Sequence, residues 1–260
     1  MPEGIRQIQR LGWKPSLPDQ RDLIADTSEI AIAEEVDPRG DLPGVYDQKH
    51  LGSCTANAVA AALEYNNRLD GTDYGTPSRL FIYYFERQLE GSPADQDTGA
   101  YGRDGFKVAK RWGVPPEEMW PYSDANPGPF QEEPPAEVME EAAKHKLQEP
   151  YRSVPRSVDA FKAALSNRQT CAFGFTVYDS FLSDEVASSG VVPLPGRDEV
   201  VRGGHEMLMV GYLRAEPNYV LTRNSWGTDW GIGGYCLMPW AYILSQLASD
   251  FRTIRRAVGK

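Results

Sequence analysis

The stretch DQKHLGSCTANAVAAALEYNNRL, residues 47–69, places a cysteine directly before a helix-forming segment. Downstream of the cysteine the segment is rich in alanine, and its larger apolar side chains recur at helical spacing. Cys54 is therefore predicted at the start of a helix, where unpaired backbone N–H groups and the helix dipole stabilise a thiolate. Gly52 and Ser53 leave the approach to the sulfur uncluttered. A buried cysteine with a purely structural role would fit the same segment.

A histidine and an asparagine lie in two apolar segments of the second half. His205 follows Gly203 and Gly204 and opens the run MLMVGYL, which predicts an imidazole at a strand end, beside backbone without crowding side chains. Asn224 ends the run NYVLTR, and Trp226 follows two residues later. An amide oxygen can hold an imidazole in one orientation by accepting its N–H. Taken alone, each segment also fits a structural histidine or a turn-forming asparagine.

The three residues together are more specific than any one of them. A cysteine, a histidine far downstream and an asparagine soon after it follow the order of a papain-type site. The blocks DQKHLGSCTANA, GGHEMLMVGY and RNSWGTDWGIGGY resemble the three signature blocks of the papain-like (C1) cysteine peptidases. The segments GWKPSLPDQRD and DTGAYGRDGFKVAKRWGV resemble the compact bacterial branch of that family. Gln48 matches the family's glutamine in its spacing from the cysteine.

The resemblance implies an α+β fold of the papain-like type, with two lobes and the active site in the cleft between them. A helical left lobe, residues 46–150, would carry the nucleophile. A β-rich right lobe with an antiparallel, barrel-like sheet, residues 151–260, would carry the histidine and the asparagine. Residues 1–45, rich in proline and aspartate, would form an N-terminal arm. This arm would either lie over the cleft as an inhibitory segment or pack outside the barrel as a strap.

Local sequence patterns predict the same order of helices before strands. Helices are predicted over 78–90 and over 104–112, the second with Asp104 as its N-cap, and a short acidic helix near 136–148. The prolines between 113 and 135 exclude a long helix or a central strand there. The strand-like runs are CAFGFTVY, HEMLMVGYL, NYVLTRNSW and GYCLMPW.

The resemblance also implies a mechanism and the residues that carry it. Cys54 and His205 would form a thiolate–imidazolium pair, with Asn224 orienting the imidazole under Trp226. The Gln48 amide and the backbone N–H of the cysteine would hold the oxyanion, and the histidine would protonate the leaving amine. Water would then release the acyl group, so the reaction requires no cofactor.

Substrate-binding residues are expected on both sides of the cleft. Gly99 and Ala100 resemble the family's loop that pairs with the substrate main chain. Glu206 stands where the family usually has a small residue beside the pocket for the second residue before the cut. It is predicted to narrow that pocket or to favour a basic side chain there. The full expected set is Gly52, Ser53, Gly99, Ala100, Gly204, Glu206 and Trp226.

Composition and charge narrow the possible partners. The chain has 260 residues and a net charge of -10, which disfavours nucleic acid and anionic membranes as partners and favours peptides or proteins. No apolar run reaches the roughly 18 residues of a membrane helix, and no apolar signal core is present, so a cytoplasmic location is expected. The basic tail is expected to be a solvated terminus; it consists of Arg252, Arg255, Arg256 and Lys260.

The three cysteines, Cys54, Cys171 and Cys236, are an odd number and too few for a disulfide framework. No C-x-x-C pair is present, and no metal site is expected. Leu51 stands where secreted relatives usually have a disulfide cysteine, and Thr55 replaces the aromatic residue that usually follows the nucleophile. Both departures fit a reduced compartment.

Two other functions fit the same residues. The acyl-enzyme chemistry would also serve acyl transfer or amide ligation if an amine replaced water as the acceptor. A catalytically silent scaffold with the same fold is the other alternative, although the four catalytic positions are all intact.

Overall fold

A helical lobe forms the first half of the structure, a computed structural model that describes residues 11–254. Its first helix begins at the cysteine of the opening motif and ends at Asp70, and Gly71 caps it with a left-handed backbone (φ 69°). The second helix follows Ser78, whose hydroxyl accepts the N–H of Phe81 as a side-chain cap. The helices of this lobe are α1 (Cys54–Asp70), α2 (Arg79–Leu89), α3 (Gly102–Arg111) and α4 (Ala136–Ala142).

The start of α3 differs from the prediction. A two-residue strand, β2 (Ala100–Tyr101), leads directly into the helix, so Tyr101 and not Asp104 is the N-cap. Asp104 lies inside the first turn, where its carboxylate accepts a hydrogen bond of 2.7 Å from Nζ of Lys107. The predicted N-cap is therefore wrong, although an acidic residue in a first turn still complements the helix dipole.

The segment that follows α3 has little regular structure. Between residues 113 and 135 the only helical element is the short 3-10 turn Pro129–Gln131, which confirms that the prolines exclude a long helix. Helix α4 ends at Ala142, earlier than predicted. The chain leaves the helix there because the N–H of buried Leu147 donates to the carbonyl of Ala109 in α3, at 2.9 Å.

An antiparallel sheet of six strands forms the second half, in the order β3-β8-β4-β5-β6-β7. Its strands are β3 (Tyr151–Ser153), β4 (Cys171–Tyr178), β5 (Val201–Gly211), β6 (Tyr219–Arg223), β7 (Tyr235–Pro239) and β8 (Ala248–Ile254). Three further helices pack around the sheet: α5 (Val158–Ser166), α6 (Asp184–Ser189) and α7 (Trp240–Leu244). The predicted α+β fold with an antiparallel second lobe is confirmed.

The two faces of the sheet belong to two hydrophobic cores. On β5, Met207 and Met209 join one buried cluster, whereas Leu208 and Val210 join another that includes Val59 of α1. This alternation follows from the two-residue period of a strand. The second cluster holds the helical lobe against the sheet and so fixes the start of α1 relative to β5.

The N-terminal segment crosses both lobes. Strand β1 (Trp13–Lys14) pairs in parallel with β2 of the helical lobe. Further along, Ile24 forms a bridge to β3, and Val36 forms a bridge to Tyr212 just after β5. The segment therefore lies between the lobes at its start and runs along the second lobe afterwards.

The prediction of a solvated basic tail is wrong for Arg252. Arg252 lies in β8 and is buried, and its guanidinium pairs with Asp250 at 2.8 Å and with Asp22 at 3.4 Å. Ion pairing offsets the cost of burying this charge. The other predicted tail residues, Arg255, Arg256 and Lys260, lie outside the described residues.

Candidate active site

Cys54 is the first residue of α1 and is fully buried. The loop before it is held in place by Asp97, whose two carboxylate oxygens each accept the N–H of Gly52 at 3.1 Å. Ser53 is the N-cap residue, but its side chain makes no cap hydrogen bond. The helix start therefore surrounds the sulfur with backbone rather than with side-chain donors.

The imidazole of His205 is oriented by Asn224. Its Nε2 lies 2.7 Å from Oδ1 of Asn224, and the backbone N–H of Ser225 donates to the same oxygen at 2.8 Å. Because a backbone N–H can only donate, this contact fixes Oδ1 as the acceptor and gives the ring proton to Nε2. Nδ1 is then the basic atom of a neutral ring, and it is buried without a hydrogen-bond partner among residues 11–254.

His205 lies inside β5, four residues after the strand begins, and not at a strand end as predicted. Gly203 and Gly204 extend the strand because they pair with Val177 and Thr176 of β4 through their backbones. Asn224 directly follows β6, at the strand end where it was predicted.

An indole covers the histidine–asparagine pair. The ring centroids of Trp226 and His205 are 4.7 Å apart, with 32° between the planes. Phe181 and Trp230 pack against Trp226 at 5.5 and 5.4 Å. These aromatic rings exclude water from the hydrogen bond between the imidazole and the amide, and this exclusion strengthens the hydrogen bond.

Gln48 connects the helical lobe to the segment that carries Asn224. Its Oε1 accepts the hydroxyl proton of Ser225 at 2.6 Å, and its backbone N–H donates to the Ser225 carbonyl at 2.9 Å. Its Nε2 donates to the carbonyl of Leu51 at 2.9 Å. Ser225 thus positions two predicted catalytic residues, a role that sequence analysis missed although the residue lies inside the Asn-Ser-Trp-Gly block.

The sulfur of Cys54 lies beside the backbone of β5 and of the N-terminal segment. The backbone groups of Glu206 and Gly12 lower the pKa of its thiol. Burial, and secondarily the charge of Glu206, nevertheless raise the pKa of the Cys54 thiol to about 12. Burial also lowers the pKa of His205 to about 4. The covered site therefore favours a neutral thiol and a neutral imidazole.

Gly12 brings the N-terminal segment against the cysteine loop. Its carbonyl accepts the N–H of Ala100 at 2.8 Å. A Cβ built on Gly12 would lie 1.8 Å from the carbonyl oxygen of Gly52, so no larger residue fits this contact. Gly99 approaches Gly12 equally closely, with 2.0 Å between a built Cβ and the Gly12 carbonyl oxygen. The loop expected to pair with substrate main chain pairs here with the chain's own segment.

Trp13 and Lys14 anchor this segment in the cleft. The indole N–H of Trp13 donates to Oδ2 of Asp250 at 3.2 Å, and Nζ of Lys14 pairs with Glu90 at 2.5 Å. Sequence analysis did not assign a role to either contact. Trp13 lies in the quoted GWKPSLPDQRD segment, whereas Asp250 has no local signal.

Glu206 is buried next to the cleft. A Cβ built on Gly102 would lie 1.9 Å from its Oε2, and this oxygen has no hydrogen-bond partner in the described part of the chain. Burial, followed by the charge of Asp250, raises its pKa well above the ordinary value. The predicted influence of Glu206 on the pocket stays a prediction.

The two departures from the family pattern have local explanations. Leu51 is buried in the core of the helical lobe, and all three cysteines of the chain are free. Thr55 donates its hydroxyl to the buried carboxylate of Glu86 at 2.8 Å. A hydroxyl at this position therefore satisfies one oxygen of a buried acid, which an aromatic carbocycle would not do.

The remaining histidines lie elsewhere and bind carboxylates. His50 is exposed and contacts Asp124 at 2.7 Å, and His145 contacts Glu141 at 2.9 Å. Over residues 11–254, no group of three or more histidine, cysteine, aspartate or glutamate side chains is arranged to hold a metal ion. Within the same span, every helix is too short or too polar to cross a membrane.

We expect iodoacetamide to alkylate Cys54 of the folded chain about tenfold faster for each unit of pH between about 7 and 10. The thiolate is the reactive form, and below a pKa of about 12 its fraction rises tenfold per unit. Peptide mapping of timed samples measures the rate. In urea the rate should instead level off near about pH 8.5, the ordinary thiol value. A plateau below about pH 8 in the folded chain would contradict the raised pKa.

Comparison with known proteins agrees with this fold. The sequence model described as papain family cysteine protease matches residues 32–242. An uncharacterised peptidase C1-like protein of Acanthamoeba polyphaga mimivirus is 38% identical, over 95% of this chain and 87% of its own length. Xylellain, a cysteine protease from Xylella fastidiosa, has a crystal structure that matches with a TM-score of 0.87 at 38% identity, over 95% of this chain and 96% of xylellain.

A more distant likeness concerns the fold alone. Digestive procathepsin L 3 of the Tenebrio molitor larval midgut matches with a TM-score of 0.69 at 19% identity, over 89% of this chain and 73% of the procathepsin.

The fold and the site together are those of a two-lobed cysteine-type hydrolase. A helix begins at a cysteine and packs against an antiparallel sheet that carries a histidine–asparagine pair. The chain belongs to the papain family of cysteine proteases, as its sequence predicts.

Proposed function

We propose that the chain hydrolyses peptide bonds through a thioester to Cys54, with His205 as base and acid and Asn224 as its orienter. The observation that carries this proposal is the contact of 2.7 Å between Nε2 of His205 and Oδ1 of Asn224. Since Ser225 fixes that oxygen as the acceptor, the ring presents Nδ1 as a base. That nitrogen has no hydrogen-bond partner among the described residues, so its lone pair is available to accept the thiol proton.

The proposed reaction begins with transfer of the thiol proton to Nδ1 of His205. The Cys54 sulfur then attacks the scissile carbonyl carbon, and the developing oxyanion is held by the Gln48 amide and the cysteine's own N–H. His205 returns the proton to the leaving amine, so that the C–N bond breaks and a thioester remains. A water molecule, deprotonated by the same imidazole, attacks the thioester carbonyl carbon; the C–S bond breaks, the acid product leaves, and the imidazolium returns the proton to the sulfur.

Substrate main chain is proposed to bind along Gly99 and Ala100. Support comes from the N-terminal segment, whose Gly12 carbonyl already accepts the N–H of Ala100. Gly52 and Gly204 would line the same groove, since neither carries a side chain that would block it. Ser53 and Trp226 would border it near the sulfur and the imidazole.

The N-terminal segment is proposed to inhibit the enzyme while it occupies the cleft. Trp13 and Lys14 are held there by Asp250 and Glu90, one on each lobe, and Cys54 is fully buried beneath this segment. Removal of the segment would admit water and substrate and relax the burial that opposes charge on sulfur and imidazole. The predicted thiolate–imidazolium pair therefore belongs to the open site.

Intact-mass spectrometry after treatment with an epoxysuccinyl probe of the papain family tests the proposed nucleophile. We expect one adduct on the reduced full-length chain and none on Cys54→Ala. Adducts on the variant would place the reactive thiol elsewhere. Adding an amine to a peptide assay separates hydrolysis from acyl transfer, because a transferase yields mainly the aminolysis product.

Replacing Gln48 with alanine is expected to lower kcat by roughly 100-fold to 1000-fold and to change KM little. The amide would act on the oxyanion, which exists only in the transition state, and loss of one such donor costs about 2.7–4 kcal/mol. Gln148→Ala, which removes an exposed glutamine, should leave both constants unchanged. A rise in KM at constant kcat would contradict the proposed role of Gln48.

A further inference from the structure

The pocket that holds Trp13 is shaped for a flat double ring. A Cβ built on Gly174 would lie 1.8 Å from Cε2 of the indole, and one built on Gly204 would lie 2.6 Å from Cε3. Gly174 pairs directly with Glu206 in the register of β4 and β5, and Gly204 precedes Glu206 by two residues on β5. All three therefore face the same side of the sheet, where the indole packs on bare backbone.

A buried carboxylate oxygen of Asp250 accepts the hydrogen bonds that hold the N-terminal segment in this pocket. Oδ2 of Asp250 accepts the indole N–H of Trp13 at 3.2 Å and the backbone N–H of Ser16 at 2.8 Å. Both donors belong to the N-terminal segment, so both leave when the segment leaves. With the segment in place the Asp250 side chain is only 5% exposed, so a ligand that covers it again without donating a hydrogen bond leaves a buried carboxylate oxygen unsatisfied, which is costly. The emptied pocket therefore favours a ligand that restores an N–H at this point.

The charge of Asp250 is already balanced. Its other oxygen, Oδ1, accepts a hydrogen bond of 2.8 Å from Arg252, whose side chain is 4% exposed. A second guanidinium would be repelled by Arg252 and would lose its hydration on entry. The pocket thus favours a neutral donor over a cation.

The inference rests on the proposed hydrolysis at Cys54. We propose that the pocket now filled by Trp13 selects substrates with tryptophan over those with phenylalanine or arginine, and that Asp250 determines this selection. Tryptophan alone of the three combines a flat apolar ring system with a neutral N–H that reaches Oδ2. Phenylalanine packs against the pocket walls but leaves Oδ2 of Asp250 without a hydrogen-bond donor. Glu206 would then narrow the pocket, as one of its two predicted effects states, but would not favour a basic side chain there.

The test uses the full-length chain with Trp13→Ala and Lys14→Ala, called here the arm-loosened variant. Fluorogenic peptides that differ only at the second residue before the cut carry tryptophan, phenylalanine or arginine there. We expect kcat/KM for tryptophan to exceed both others by roughly tenfold to 100-fold, the effect of one hydrogen bond to a charged group. Adding Asp250→Gly should bring the ratio of tryptophan to phenylalanine near one.

Glycine suits this substitution because Asp250 has a left-handed backbone, with φ of 62°. Asp250→Asn, which tolerates the same backbone and keeps an amide oxygen, should retain part of the ratio. Equal rates for the tryptophan and phenylalanine peptides, faster cleavage of the arginine peptide, or a ratio that survives Asp250→Gly would overturn the inference. Calorimetric binding of the same peptides to the arm-loosened variant with Cys54→Ala gives the order of affinities without any reaction. If no peptide is cleaved and no probe adduct forms, the proposed hydrolysis fails, and the binding order alone decides the inference.

Discussion

Replacing Cys54 with alanine is expected to reduce kcat/KM for peptide hydrolysis by about 10 000-fold or more. Without the sulfur no thioester forms, and His205 is left with only a distant water to activate. The effect is measured on the arm-loosened variant, where the cleft is open, with a fluorogenic peptide mixture. Retention of more than about one hundredth of the activity would contradict the assignment of the nucleophile.

The chain offers two matched controls for this substitution. Cys171 and Cys236 are also free and fully buried, and burial raises the pKa of each thiol. They lie in β4 and β7, within the sheet core, where Cys→Ala leaves a small cavity. We expect these two variants to lose some thermal stability but to keep their catalytic constants. A loss of activity equal to that of Cys54→Ala would mean that destabilisation, and not chemistry, explains both.

Local sequence signals predicted those parts of the site that depend on short-range structure. The start of α1 at Cys54 follows from an alanine-rich run after a glycine and a serine, and Asn224 follows a short β-branched strand. The run CAFGFTVY matches β4 from end to end. In each case the hydrophobic period and the flanking residues agree with the tertiary contacts, so local preference and packing point to one structure.

The features that sequence did not predict depend on distant partners. Gly203 and Gly204 look like a turn, yet they extend β5 because backbone pairing to β4 requires no side chain. Trp13 and Asp250 are 237 residues apart, and neither segment has a pattern that indicates the other. Arg252 looks like part of a solvated tail but is buried, because Asp22 and Asp250 pair with it. Such pairs form only when the lobes pack together, so local sequence does not predict them.

The N-terminal segment forms long-range contacts with both lobes. Arg103 of the helical lobe pairs with Asp22 at 2.8 Å, and the sheet residue Arg252 pairs with the same carboxylate. The strap part of the segment is therefore anchored independently of Trp13 and Lys14 in the cleft. Within residues 11–45 the segment thus contacts the cleft near Trp13 and the outside of the second lobe further on, and the choice between an inhibitory arm and a strap stays a prediction. Loosening the cleft contact should leave the strap in place.

The arm-loosened variant is therefore expected to react with the epoxysuccinyl probe about 100-fold faster than the unaltered chain. Truncation of a buried tryptophan to alanine costs about 3–5 kcal/mol, and each 1.4 kcal/mol shifts an equilibrium tenfold, so a closed cleft would open in a much larger fraction of molecules. Stopped samples analysed by intact mass give the rate constants for both chains. A drop of the melting temperature without faster labelling would contradict the inhibitory role.

Leu17→Ala provides the control, since this side chain lies in the same segment but is 82% exposed. Its removal should leave the labelling rate unchanged, because it touches neither the pocket nor the Glu90 carboxylate.

The pH dependence of labelling further distinguishes the closed chain from the arm-loosened variant. In the closed chain the raised pKa of Cys54 makes labelling climb steadily with pH, whereas in the loosened chain solvent reaches sulfur and imidazole and allows the ion pair to form near neutral pH. A loosened chain whose labelling still climbed without a plateau would mean that burial by the lobes themselves, and not by the segment, keeps the thiol neutral.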